Sequence, residues 1–424
     1  MRVLSVYGGI PLYGTTKIQG AKNSVLPILA ATVLAGSPCV IHNCPHLSDV
    51  DTAMQILRWL GATVLREDET IVVDPSGIGR CTIPAQMMQK MRSSVVFLGS
   101  VLARCGQAEI SVPGGCKLGA RPIDFHLEAM RTFGAQVEQT GEQILCRAGA
   151  MQGGRYRLPF ASVGATENSM LAAMGCSGEV VLENAAREPE IVDLAAFLCE
   201  MGAEIHGAGT STIVLRRRQR LHGAEHWVIS DRIAAVTYLC AAVSAGGEIL
   251  LRNTDPGHYR AVLEVLQRTG CKIQTDSDKV LLRRDGPLRA PGYIETGPYP
   301  AFPTDAQSPV MAALLQAEGT TRIRETIFSN RFQQVPELEK LGAEITVSGD
   351  LAQVTTARRL AGASMRAADL RGGAALVVAA LAAEGESTVW GLEHIDRGYA
   401  SIEQDLRELG AEIARREARV LQMS

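Results

Sequence analysis

Two kinds of apolar pattern alternate along this chain. In the first, apolar residues recur every three or four positions, as in Val50/Met54/Leu57/Leu60, Ile191/Leu194/Leu198/Met201 and Ile402/Leu406/Leu409. That rhythm predicts amphipathic helices with one face packed and the other in water. In the second, small and aliphatic residues run on with almost no polar face, at 24–36, 93–106, 168–178, 234–246, 308–319 and 372–385. Helices of that kind belong in the middle of a folded unit. Short alternating segments, such as 63–65 with 71–73 and 272–274 with 280–282, predict strand pairs.

These patterns repeat. A Gly-Ala or Gly-Cys dipeptide closes each amphipathic segment, at Gly61, Gly134, Gly202, Gly270, Gly342 and Gly410, with spacings of 73, 68, 68, 72 and 68. Glycine there predicts a helix C-cap. Six copies of one α/β unit of about 70 residues follow, each reading helix, strand, helix and three strands. The chain begins in the closing strand of a unit, at 16–20, and its last apolar run, 420–423, stops before that strand. The N-terminus therefore completes the sixth copy. Three copies fill 22–229, and three fill 230–424 together with 1–21. Two lobes joined by two chain crossings are expected to carry a cleft and a hinge.

Composition narrows the function. With 46% hydrophobic but only 4% aromatic residues, the core is largely Ala, Val, Leu and Ile. A formal net charge of −3 supplies no global basic field for nucleic acid. The ten cysteines never form C-x-x-C, and none shares a zinc-like spacing with histidine, so neither a metal site nor a disulfide framework is expected. No apolar run is long enough to cross a bilayer, and the N-terminus has no signal-like apolar stretch. A cytoplasmic protein is expected, without a membrane partner.

The chemistry concentrates where the apolar helices begin. Lys22-Asn23, Arg92, Thr166-Glu167, Asp231-Arg232, Asp305 and Asp369/Arg371 open the six copies. If the copies share one geometry, six helix N-termini face the cleft and favour anions. Asp231, Asp305 and Asp369 read by default as caps. Arginine at a helix start is opposed by the dipole, so Arg92 and Arg371 require an anionic or acidic partner. The loops before the amphipathic helices add Arg121, Arg187, Arg331 and Arg397. One loop, PGGCKLGARPID (113–124), is the longest: 28 residues separate Gly106 from Gly134, against 23–25 in the other copies. It carries Cys116 with Lys117 and Arg121 close by in sequence, and neighbouring positive charge stabilises a thiolate. A specialised loop holding a reactive thiol is the reading.

The strings GAKNSVLPIL (20–29), PGGCKLGARPID (113–124), ENAAREPEIVD (183–193), FPTDAQ (302–307), SNRF (329–332), ADLR (368–371) and HIDRGY (394–399) resemble the UDP-N-acetylglucosamine enolpyruvyl transferases over essentially the whole chain. The resemblance implies a two-lobed inside-out α/β barrel of six repeats. It also implies transfer of the enolpyruvyl group of phosphoenolpyruvate to the 3′-hydroxyl of UDP-N-acetylglucosamine, with release of phosphate, as the first committed step of peptidoglycan synthesis. No cofactor or metal, and no obligate protein partner, goes with that activity; fosfomycin alkylates the loop cysteine.

Carried over by position, Cys116 matches the general acid and Asp305 the base. Lys22, Arg92, Arg121, Arg331, Arg371 and Arg397 match the cations around phosphate, carboxylate and diphosphate, Lys22 and Arg397 being counted with the catalytic set. Asn23 and Asp305 match residues at the sugar. Pro122, Ile123, Asp124, Phe125, Ser162, Val163, Gly164 and Ile327 match the nucleotide-binding segments, and Asp369 lies beside Arg371 in the ADLR string. The chain departs from the common pattern in the Ala234-Ala235-Val236 segment, where a carboxylate at the first position and a glycine at the third are usual. It departs again at Gly372-Gly373, where Ala-Ser is common, and at Phe160, often basic. The alternatives are a low-activity or regulatory paralogue and a shikimate-type transferase, the latter lacking a cysteine loop of this kind.

Overall fold

The computed structural model describes residues 2–114 and 123–417; Cys116, Lys117, Arg121, Pro122 and the 420–423 run lie outside them. All six apolar segments are helices: Lys22–Ala31, Phe97–Cys105 after a 3₁₀ turn at Arg92–Val96, Val163–Ala173, Arg232–Ala245, Thr304–Ala313 and Leu370–Ala382. In most copies the helix begins two to five residues before the apolar run. The polar residue that opens each copy is thereby drawn into or against the first turn.

The described residues form two compact units, one from 20–114 and 123–229, the other from 2–19 and 230–417. Within the first, the helices Lys22–Ala31, Phe97–Cys105 and Val163–Ala173 pack on one another. Within the second, Arg232–Ala245, Thr304–Ala313 and Leu370–Ala382 do the same. Each trio is the centre of its own apolar core. Small residues allow that approach: from Arg371 to Leu381 every residue is buried, and most are Gly, Ala or Val.

Sheets surround each trio. The first strand of a copy lies beside its own antiparallel pair and, on its other edge, beside a parallel strand lent by the preceding copy. Gln152–Arg157 is lent to Ser177–Glu183 in this way, and Glu225–Trp227 returns to Cys39–His42, closing the first unit on itself. In the second copy the lent strand shrinks to a single bridge between Thr82 and Glu109.

The second unit closes through the N-terminus, with a refinement of the expected layout. The lent strand is Leu12–Lys17, earlier than the 16–20 expected, and it pairs with Gly247–Arg252. A further N-terminal strand, Arg2–Gly8, lies between Gly385–Trp390 and Glu412–Glu417, antiparallel to both. It takes the position that an internal strand of the antiparallel pair holds in other copies. The N-terminus thus contributes two strands.

A recurring asparagine fixes where the functional loops leave the sheet. Asn43, Asn184 and Asn253 have φ of 57°, 52° and 56°. Their side-chain amides donate to Val228 O, Leu158 O and Ile18 O, each at 2.8 Å, on the residue that follows the strand lent by another copy. Asparagine tolerates this left-handed conformation better than most residues. The same side chain therefore turns the chain and ties neighbouring copies together.

Candidate active site

In the first unit, Lys22 is the opening residue of its helix and is buried, its Nζ 2.6 Å from Asp49 Oδ2. No side chain caps this helix, whose N-cap is Ala21. Asn23 is half-buried beside Lys22. Arg92 opens the 3₁₀ turn of the next copy, and its Nη1 donates to Pro113 O at 3.0 Å. Pro113 is the first residue of the thiol loop, so Arg92 holds the root of the segment that carries Cys116.

The candidate nucleotide-binding residues of this unit lie around one histidine. Ser162 caps Val163–Ala173: its Oγ accepts from Ala165 N at 3.4 Å and its carbonyl from Thr166 Oγ1 at 2.8 Å. Ser162, Val163 and Gly164 are half-buried. A Cβ on Gly164 would come within 3.4 Å of His126 Cε1. The His126 ring is buried, and its Nδ1 accepts from Asn168 Nδ2 at 2.9 Å. Burial first, then the Arg92 charge, pushes its pKa down to about 4. His126 is therefore a neutral wall for this segment. Asp124 opens the helix Asp124–Thr132 and is exposed, Ile123 is buried before it, and the half-buried Phe125 accepts through its carbonyl from Tyr156 Oη at 3.0 Å.

The start of the third copy is acidic. Arg187 is exposed and donates to Gly209 O at 3.4 Å, whereas Glu188, Glu190 and Glu167 are buried. Burial first, then the charges of Glu190 and Glu188, raises the Glu167 pKa well above the ordinary carboxylate range. Counting Arg187 among the loop cations left out Glu188 and Glu190. The ENAAREPEIVD string displays both, but local sequence does not show which side chains turn inward.

In the second unit the default reading of three aspartates as caps holds for two. Asp231 Oδ1 accepts from Ile233 N at 2.9 Å and Ala234 N at 3.0 Å; Asp369 Oδ1 accepts from Arg371 N and Gly372 N, both at 3.0 Å. Asp305 departs from it. The N-cap of its helix is Pro303 without a side-chain bond. Asp305 instead bridges two arginines: Oδ1 accepts from Arg331 Nη2 at 2.7 Å, and Oδ2 from Arg371 Nη2 at 3.1 Å and Nε at 3.3 Å.

Both guanidiniums are almost wholly buried, while Asp305 keeps 29% of its side chain exposed. Arg331 also donates to Thr304 O at 3.2 and 3.3 Å, and Arg371 to Tyr399 Oη at 3.4 Å. Burial opposes the charge on Arg371, yet Asp305, then Tyr399 and Asp231, hold its pKa above the ordinary arginine value. The acidic partner required of an arginine at a helix start is therefore Asp305. Ile327 is half-buried, its N–H donating to Glu325 Oε1 at 2.8 Å, and Arg397 is half-buried in the turn before Ile402–Glu408.

The Gly372-Gly373 departure has a packing reason. A Cβ on Gly372 would lie 2.7 Å from Asp369 Oδ2, and one on Gly373 would lie 2.8 Å from Ile395 Cγ1. Both glycines let the Arg371 turn sit close to its neighbours. Among the described residues no cluster of His, Cys, Asp or Glu suits a metal ion, no helix is long and apolar enough to cross a membrane, and every described cysteine is a free thiol.

A profile of the EPSP synthase (3-phosphoshikimate 1-carboxyvinyltransferase) family matches residues 6–406. The chain belongs to the EPSP synthase family. Within that family it is 45% identical over 415 residues to UDP-N-acetylglucosamine 1-carboxyvinyltransferase 2 of Caldanaerobacter subterraneus subsp. tengcongensis, covering 98% of this chain and 100% of that protein. This bears out the resemblance carried by the sequence strings. Among solved structures, the enolpyruvyl transferase NikO from Streptomyces tendae superposes with a TM-score of 0.89 at 28% identity, over 99% of each chain. An EPSP synthase from Acinetobacter baumannii superposes at 0.74 with 18% identity, over 98% of this chain and 100% of that one, which shows the shared fold. The expected six-repeat α/β architecture of the EPSP synthase family is thus present in this member.

Proposed function

We propose that this EPSP synthase family member transfers the enolpyruvyl group of phosphoenolpyruvate to the 3′-hydroxyl of UDP-N-acetylglucosamine, releasing phosphate. The structural observation that carries the reading is Asp305, a partly exposed carboxylate held between two buried arginines rather than used as a cap. The full-length 45% identity to a UDP-N-acetylglucosamine 1-carboxyvinyltransferase supports the choice of acceptor.

The chemistry needs an acid and a base in the same reaction. The acceptor oxygen bonds to C2 of phosphoenolpyruvate and surrenders its proton, while C3 gains a proton and becomes a methyl group. Loss of a proton from that methyl then expels phosphate from C2 and restores the enol ether. Cys116 serves as the acid for C3 and Asp305 as the base for the 3′-hydroxyl. Lys22, Arg92, Arg121, Arg331, Arg371 and Arg397 balance the phosphate, carboxylate and diphosphate charges, and Asn23 and Asp369 lie with them. Fixed cations of this kind lower the cost of charge that develops during reaction. Pro122, Ile123, Asp124, Phe125, Ser162, Val163, Gly164 and Ile327 take the nucleotide.

In this reading residues 22–229 and 230–424 with 1–21 are the two lobes. The protein works in the cytoplasm without a cofactor, committing UDP-N-acetylglucosamine to cell-wall synthesis and so to cell shape and division. Its test is phosphate release from the two substrates together. Cys116→Ala is expected to lower the rate by at least about 100-fold, within the range for loss of an acid–base group. Fosfomycin is expected to add mass at Cys116 alone. Bound nucleotide sugar with no phosphate release would mark a regulatory paralogue, and labelling at another cysteine would refute the reactive-loop role.

A further inference from the structure

A buried chain of polar side chains in the first unit has no role in the reaction above. Asp193, on the helix Pro189–Glu200, accepts at Oδ2 from Ser24 Oγ and, at 3.3 Å, from Ile229 N. Its Oδ1 lies 3.1 Å from His226 Nε2, and His226 Nδ1 lies 2.8 Å from Glu200 Oε2. Ser24, Asp193 and His226 are all buried. One carboxylate therefore ties together the first turn of the Lys22–Ala31 helix, the Pro189–Glu200 helix and the segment leaving the strand Glu225–Trp227. The backbone adds Ala21 N donating to Ile229 O at 2.7 Å.

This helix start benefits from being held in that way. Its N-cap, Ala21, provides no side-chain bond, unlike Ser162, Asp231 and Asp369 at the corresponding starts. A carboxylate beside a helix N-terminus is favoured by the exposed N–H groups and the dipole. Buried in apolar surroundings, that carboxylate is costly unless a positive partner accompanies it. His226 is that partner, set between Asp193 and Glu200 with the Phe197 ring 5.4 Å away. The other charges of this sheet edge, His42 and Glu225, pair with each other at 2.8 Å beside Trp227, which alternates with His226 to the opposite face.

We propose that Asp193 and His226 are positioning residues for the reaction: through Ser24 they fix the first turn that presents Lys22 and Asn23 to the substrates. The proposal rests on the function proposed above. It also makes that placement depend on pH. Burial lowers the His226 pKa, but Asp193 and Glu200 together outweigh it and raise the value above the ordinary one. A histidine raised on folding stabilises the folded state fully below its unfolded pKa, and that contribution is lost as pH rises through the folded value. On the alkaline side Asp193 loses its cation and the grip on Ser24 weakens.

The test compares wild type, Ser24→Ala and His226→Gln, each checked for folding by circular dichroism and thermal denaturation. Both folded variants are expected to lose about tenfold or more in kcat/KM for phosphoenolpyruvate, since small misplacements of positioning groups have effects of that size. His226→Gln should also lack the alkaline limb that His226 gives the wild-type pH profile. A second readout does not need turnover: NMR titration should place the His226 ring above about 6.5, the ordinary histidine value, and Asp193→Asn should lower it. Folded variants with wild-type kcat/KM and pH profile, or a His226 ring that titrates unshifted, overturn the proposal. A wild type that releases no phosphate overturns the function reading instead, and the ring titration still decides the clamp.

Discussion

At the scale of single residues, Asp305 combines two demands on one carboxylate. It offers an exposed oxygen surface and it neutralises Arg331 and Arg371, both nearly inaccessible to water. Removing one partner of a buried charge cluster leaves the rest uncompensated. Asp305→Ala is therefore expected to destabilise the second unit by about 3 kcal/mol, measurable by urea denaturation, besides abolishing phosphate release. Asp305→Asn keeps the shape and one acceptor oxygen, for one of the two arginines, and turns its amide nitrogen toward the other; it should be milder in stability than Asp305→Ala, though equally inactive. Local sequence pointed to Asp305 as a cap because its partners are remote, 26 and 66 residues away. Motif resemblance found the residue; only the fold shows what holds it.

His126 supplies a second prediction at this scale. Its pKa falls from 6.5 to about 4 on folding. A histidine kept neutral by burial contributes stability that is present above its unfolded pKa and is lost as pH falls toward the folded value. The first unit should weaken between about pH 6.5 and 4, by about 3 kcal/mol in total from this group. Thermal denaturation across that range checks it, and His126→Gln should flatten the dependence. Nothing in the sequence near His126 announces the role, because its partner Asn168 comes from the next copy of the repeat and the charge of Arg92 from the distant start of its own copy.

At the scale of elements, repetition made most of the architecture readable. Apolar runs without a polar face became the central helices, and the periodic segments before each Gly-Ala or Gly-Cys became the outer ones. What stayed hidden was how each helix begins. The carboxylates of Asp231 and Asp369 accept from the first turn as Asp usually does, while Lys22–Ala31 starts from Ala21 and borrows its carboxylate from another helix. Asp369→Ala removes acceptors from Arg371 N and Gly372 N and should cost about 1 kcal/mol. The loosened turn carries Arg371, so affinity for phosphoenolpyruvate should fall with it. Calorimetric titration of the variant would show both effects, and unchanged affinity would separate the cap from substrate binding.

At the scale of the whole molecule, the chain order of the repeats matters more than their likeness. The expectation that the N-terminus completes the sixth copy was right in kind and incomplete in extent. A short strand at 2–8 looks like any other from its residues, and its placement between Gly385–Trp390 and Glu412–Glu417 depends on pairing nearly 400 residues away. Deleting 2–8 should open that sheet, take Leu4 and Val6 out of the second core and expose apolar neighbours such as Val389 and Ile413. Hydrogen exchange is expected to quicken in the second unit and remain slow in the first.

The measurement that bears most directly on function is phosphate release from phosphoenolpyruvate with UDP-N-acetylglucosamine as acceptor, run beside shikimate 3-phosphate. Release that requires UDP-N-acetylglucosamine, with stoichiometric formation of its enolpyruvyl ether, is the predicted result. Release that requires shikimate 3-phosphate instead, or none with either acceptor, would contradict it.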